Sequence, residues 1–347
     1  MKKSILFVIL ALCLVLATAC AGQDTPQPED PAPVEQPAGA ETNGPAESAV
    51  EPVTLVIGSG ASSGTWYSML STLATYWDKL DCVEQISLTT TSGSNESASF
   101  FMNKETNVCT TTGQASTYAR NGIAPFTEPW DGEFRCILYT SAQPQQFIVR
   151  PDSDMHYVSD LVGHKLGDGL VGSGISVANQ EFWSHLDTIS YEMLSSVEYL
   201  ALSESISQLQ NDKLDCALAM YSFPHASISA LADTIGGVRL LSYTEEDANA
   251  IVEIVPYAFK CTIPAGTYVG QDEDVLTIAD SGYVCISTDI PDEIVYEMAK
   301  IVHENWDELC SINALFKDWT FTWAFDGEPS IELADGARQY YEEVGLL

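Results

Sequence analysis

The sequence predicts an α/β protein of two lobes, each a mostly parallel sheet flanked by helices. Three observations lead there. Short apolar runs rich in Val, Ile, Leu and Cys alternate with helical patterns, the mark of strand–helix–strand units. The runs repeatedly empty into loops of Gly, Ser, Thr and Gln, and in such sheets a ligand sits at those carboxyl ends. About 295 residues follow a proline-rich N-terminal segment, enough for two cores of ordinary domain size.

The first 19 residues read as a secretory leader. Lys2 and Lys3 precede an apolar run over 5–17 that is short for a membrane span but long enough for a signal core. Leu16-Ala17-Thr18-Ala19-Cys20 resembles a bacterial lipobox, with Ala17 where Leu is commonest. The expected mature terminus is Cys20 carrying a diacylglycerol anchor, with two or three acyl chains giving stable attachment. Residues 20–52 combine the lipidated Cys with a tether of Pro, Glu, Gln and Ala that has no aromatic residue. Such a segment cannot bury enough apolar surface to fold and is expected to be disordered. The expected location is extracytoplasmic, anchored to the bacterial cell membrane through Cys20 alone.

The formal net charge of −35 excludes electrostatic binding to nucleic acid or to an anionic membrane surface. Cys82, Cys109, Cys136, Cys216, Cys261, Cys285 and Cys310 remain beyond the anchor. They form no C-x-x-C and no zinc spacing, and several fall in apolar runs where a small buried hydrophobe is expected. No metal and no cofactor are expected.

The elements follow in order. Val53, Leu55, Val56 and Ile57 form a strand leading into Gly58-Ser59-Gly60-Ala61-Ser62-Ser63-Gly64 and a helix over 65–80. Strand, small-residue loop and helix aim backbone N–H groups and the positive helix end at an anion. A second strand over 85–91 enters Ser92-Gly93-Ser94-Asn95, and a third over 108–112 enters Gly113-Gln114. Strands over 134–139 and 146–150 come next. A second unit begins near residue 158, with the glycine-rich turn Gly169 to Ser176 before a helix over 177–186. A helix from Ser203, a strand ending at Tyr221-Ser222-Phe223-Pro224-His225 and a helix over 226–231 complete it. A strand over 282–287 and helices over 292–310 and 331–344 close the chain.

At this level the chain resembles the TAXI solute receptors, the extracytoplasmic binding proteins of one branch of the TRAP transporters. IGSGASSGTWYSML, TSGSNES, the block from LYTSAQPQQFIVRPDSDM to DLVGHKLGDGLVGSG and, most specifically, TIPAGTYVGQDEDV carry the likeness. The resemblance implies a type II periplasmic-binding-protein fold. Lobe 1 would be residues 53–149 plus 256–347 and lobe 2 residues 150–255, joined by two crossover segments. It implies a monomeric receptor, not an enzyme, that captures a small anionic solute (glutamate or another amino acid, a 2-oxo acid, a dicarboxylate) for a TRAP-type permease. Carried over by position, the ligand residues are Ser59, Gly60, Ser63 and Thr65, then Ser94 and Asn95, then Gln114. Tyr139 lies near the hinge. Gly172, Ser173 and Gly174 come from lobe 2, with Tyr221, Ser222 and Pro224 as the far wall.

Bland readings stand beside these. Trp66, Tyr67 and Tyr139 suit core packing, Thr65 and Ser222 suit helix capping, Arg150 suits a surface ion pair, and His225 suits a structural role. The rival class is a lipid-anchored serine hydrolase, because Gly60-Ala61-Ser62-Ser63-Gly64 is literally G-x-S-x-G between strand and helix. None of the five histidines falls in a recognisable triad segment. A tethered solute sensor without a transporter is the third reading.

Overall fold

The computed structural model describes residues 51–347 except 61, 63 and 326. The expected leader, Cys20, nearly all of the tether and Ser63 lie outside the described residues.

The strands join into one ten-stranded sheet, ordered β2-β1-β3-β10-β4-β7-β5-β6, with β8 on β4 and β9 on β10. The first half holds β1 (Val53–Ser59), β2 (Val83–Thr90) and β3 (Val108–Thr112), all parallel. Between them run α1 (Thr65–Trp77) and α2 (Ser94–Met102), and α3 (Gly113–Asn121) follows β3. Strand β4 (Arg135–Val149) then leaves this half. The second half holds β5 (Lys165–Asp168), β6 (Ser196–Tyr199) and β7 (Cys216–Met220), again parallel. Its helices are α4 (Gly174–Ser184), α5 (Leu202–Gln210) and α6 (Ala226–Ile235). Strand β8 (Arg239–Leu241), α7 (Glu245–Val252) and β9 (Phe259–Ile263) precede β10 (Val275–Ile286), which runs back.

Two long strands bind the halves together. β4 pairs with β10 from Arg135 to Pro144 and with β7 from Gln145 to Val149. β10 pairs with β9 from Val275 to Ala279 and with β3 from Gly282 to Ile286. Every pair involving β4 or β10 is antiparallel. The sheet is therefore mixed, with parallel pairing confined to the interior of each half. The sequence pattern suggests two strands where β4 runs unbroken, and places a strand only at 282–287 within β10. Both readings stop at stretches rich in polar residues, Thr140 to Gln143 and Asp280-Ser281. Those polar residues lie mid-strand, where β4 and β10 cross between the halves.

Packing follows the usual amphipathic logic. α1 presses Met69, Leu70, Leu73 and Trp77 onto Leu55 and Ile57, all fully buried. The Trp77 indole donates to the Met298 carbonyl at 3.2 Å, tying α1 to α8 (Asp292–Glu304). Cys285 stands in register between Cys109 and Cys136, all three fully buried. Burial pushes the Cys136 thiol up to about 12, so it behaves as a small hydrophobe. The seven cysteines of the described residues are free thiols.

The chain's end differs from its predicted helices. α8 stops at Asn305, α9 (Trp306–Ile312) restarts, and α10 spans Asp335–Glu343. Residues 331–334 are extended instead, because Cys136 N–H donates to the Glu332 carbonyl and Ala334 N–H to the Cys136 carbonyl. No helix among the described residues is long and apolar enough to cross a membrane.

Candidate functional site

A cleft of about 800 Å³ lies between the two halves, within the range of small-ligand sites. Residues at the start of α1, α2, α3, α4, α5 and α6, together with the crossover strands, face it. Each of these helices follows a β-strand or a short turn, so their N-terminal ends collect in one place. Gly93 begins α2 at φ 148, a conformation that excludes side chains with Cβ. α2 therefore has an N-cap with no side chain to accept from its first turn. A Cβ on Gly174 would sit 3.5 Å from Ser94 Oγ and 3.8 Å from Gln114 Oε1. The first turn of α4 thus meets α2 and α3 across the cleft.

Asp280, on crossover strand β10, supports this floor. Its carboxylate accepts from Gly113 N–H at 3.2 Å and Gln114 N–H at 2.9 Å. Burial raises its pKa to about 7, against the opposing pull of those N–H donors. The N–H bonds hold the start of α3 in place. The Gln114 side chain, 1% exposed, then presents an amide with no partner for either its nitrogen or its oxygen. Asn95 Oδ1 and His225 Nδ1 are likewise buried without partners. His225 stacks on Tyr221 with centroids 5.0 Å apart, and burial lowers its pKa. Buried polar groups normally find partners, so this cluster points to a ligand as the missing one.

Of the predicted ligand residues, Gly60, Thr65, Ser94, Asn95, Gln114, Gly172, Ser173, Gly174, Tyr221 and Ser222 line the cleft. Three do not. Ser59 is fully buried and shares a hydrogen bond with Thr110 Oγ1 at 3.3 Å, because its side chain takes the core face of β1. Tyr139 is buried against Tyr283 and Trp323 at 5.8 and 5.5 Å, and its backbone pairs with Thr320. Pro224 turns outward ahead of α6 and is exposed. Ser62 is exposed and does not line the cleft, and His225 alone of the histidines does.

Sequence reasoning missed Ser141, Gln143 and Asp280 on the crossover strands, and Leu315, Asp318 and Trp319 from the C-terminal segment. Asp280 had at most a partial signal, an acid two residues ahead of the strand expected over 282–287. The C-terminal residues had none. Glu96, Asp280 and Asp318 are the acids of the lining, and no Lys or Arg lines it among the described residues. No group of three or more His, Cys, Asp or Glu among them could hold a metal ion. Outside the cleft, Glu181 on α4 accepts from the hydroxyls of Tyr118 on α3 and Tyr257, a second bond between the halves.

The NMT1-like family model matches residues 57–345, nearly the whole described chain. The chain belongs to the NMT1-like family. A sequence search among curated proteins finds no match. XAC2383 from Xanthomonas citri, in a structure bound to ATP, aligns at 12% identity and a TM-score of 0.51, over 84% of this chain and 96% of that one. A TctC solute-binding protein from Polaromonas aligns at 12% identity and 0.49, over 86% and 100%. The periplasmic aliphatic sulphonate binding protein SsuA from Escherichia coli aligns at 14% identity and 0.45, over 84% and 79%. This NMT1-like protein has an α/β fold, a mixed sheet flanked by helices, and its likeness to XAC2383 is one of fold.

Proposed function

We propose that this NMT1-like protein is an extracytoplasmic solute receptor of the TAXI type, lipid-anchored through Cys20. It captures a small carboxylate solute (an amino acid such as glutamate, a 2-oxo acid or a dicarboxylate) and delivers it to a TRAP-type permease. The observation that carries the reading is the unpartnered, buried Gln114 amide on the cleft floor, among helix N-termini from both halves. A carboxylate there would accept from the Gln114 amide and from first-turn N–H groups, with charge-assisted bonds of the stronger kind. Thr65, Ser94 and Ser173 would add hydroxyl donors.

The mechanism is ligand-shifted closure. A solute touching both halves favours the closed form by its differential affinity for it, and no more. The Glu181 bonds to Tyr118 and Tyr257 would close with it. Nothing in the lining pairs Ser62 with a histidine, so the hydrolase reading has no support from the site.

A thermal-shift screen of amino acids, 2-oxo acids and dicarboxylates tests this. A true ligand at a hundredfold its Kd should stabilise by about 2.7 kcal/mol and raise Tm accordingly. If no carboxylate raises Tm, the receptor reading fails.

A further inference from the structure

We infer that the cleft takes a monocarboxylate bearing one apolar group, aliphatic or aromatic, and rejects dicarboxylates. The inference rests on the carboxylate-receptor reading and narrows it. The cleft has a polar end and an apolar wall. The polar end is Ser94, Asn95, Gln114 and Gly174, where α2, α3 and α4 converge. The wall carries Trp66, Ile175, Leu202, Met220 and Trp319. Together these five present two indoles, one thioether and two branched aliphatic chains.

The polar end has donors for one carboxylate. A second would meet no Lys or Arg, because none lines the cleft among the described residues. It would meet Asp318, beside Trp319, instead. An ion removed from water without an opposite charge is strongly disfavoured. The one base of the lining, His225, is held toward its neutral form by burial. An apolar substituent, by contrast, exchanges water for the Trp66, Met220 and Trp319 surfaces. A cleft of about 800 Å³ also leaves room well beyond a carboxylate head. The flexible Met220 thioether adapts to branched or flat groups alike.

The test uses the mature protein with its tether and seven probes: 4-methyl-2-oxopentanoate, phenylpyruvate, leucine, glutamate, 2-oxoglutarate, glutarate and the neutral 4-methyl-2-oxopentanamide. Tm is read first and Kd by calorimetry second. The expected result is a Tm rise with one or more of the apolar monocarboxylates and at least tenfold weaker binding of the dicarboxylates. Trp319→Ala should then weaken the apolar probe more than tenfold. Asp318→Asn should narrow its margin over glutarate. Dicarboxylates binding as well or better overturn the inference and leave the receptor reading standing. The amide binding as tightly as the matching acid overturns the carboxylate end. No shift with any probe overturns both.

Discussion

α2 and α3 open on the same cleft from the same half of the molecule, yet their N-termini are finished differently. At α3, Thr112 Oγ1 accepts from Ala115 N–H at 3.2 Å, and Asp280 takes the N–H groups of Gly113 and Gln114. The protein completes that helix end itself and leaves only the Gln114 side chain unpaired. At α2, Gly93 supplies no cap, and the first turn faces the cleft at Ser94, Asn95 and Glu96. One end is a fixed platform. The other is open to a ligand.

The largest expected break of this contrast is Asp280→Ala. It leaves the buried N–H groups of Gly113, Gln114 and Ser281 without this acceptor, each worth about 1–3 kcal/mol, so urea unfolding should show a loss of about 3 kcal/mol or more. A loss under about 1 kcal/mol would mean that α3 is not held from β10.

The same carboxyl sharpens the contrast through pH. Its native pKa of about 7 lies above the ordinary 3.8, so between these values the folded protein keeps a proton that the unfolded chain has lost. Stability from this group is therefore present at low pH, falls as pH rises from about 4 to about 7, and is level above that. Asp280→Asn should remove the slope in a series of unfolding curves.

Gln114→Ala should separate platform from ligand contact. Affinity should fall about tenfold, or about 1.4 kcal/mol, while unliganded Tm stays level or rises, since an unpaired buried amide is lost. A Tm drop with unchanged affinity would make Gln114 a packing residue. The smallest effect belongs to the second link between the halves. Tyr257→Phe removes one of two hydroxyls on Glu181 and should weaken ligand binding two- to fivefold, about 0.5–1 kcal/mol. Calorimetry with the best probe would read it.

Much of the cleft was legible as composition. Gly, Ser and Thr at strand ends have few other uses than turns, caps and close approach, and Ser94, Asn95, Gln114 and Gly174 sit on the cleft floor. The crossover strands were less legible. Thr140 to Gln143 and Asp280-Ser281 look like loop because hydropathy reports burial, and strand positions that cross a polar cleft break the apolar pattern without breaking the strand.

By itself the sequence determined the alternation of strand and helix, the two halves' worth of core, and the small-residue loops that ring the cleft. Tertiary structure alone decided which face each residue took. Ser59 and Gly60 are neighbours, yet Ser59 is sealed against Thr110 while Gly60 lines the cleft. Asp280 lies 166 positions from the Gln114 N–H that it receives. Successive strand residues point to opposite faces and register is set by the partner strand, so side-chain direction is a property of the assembled sheet.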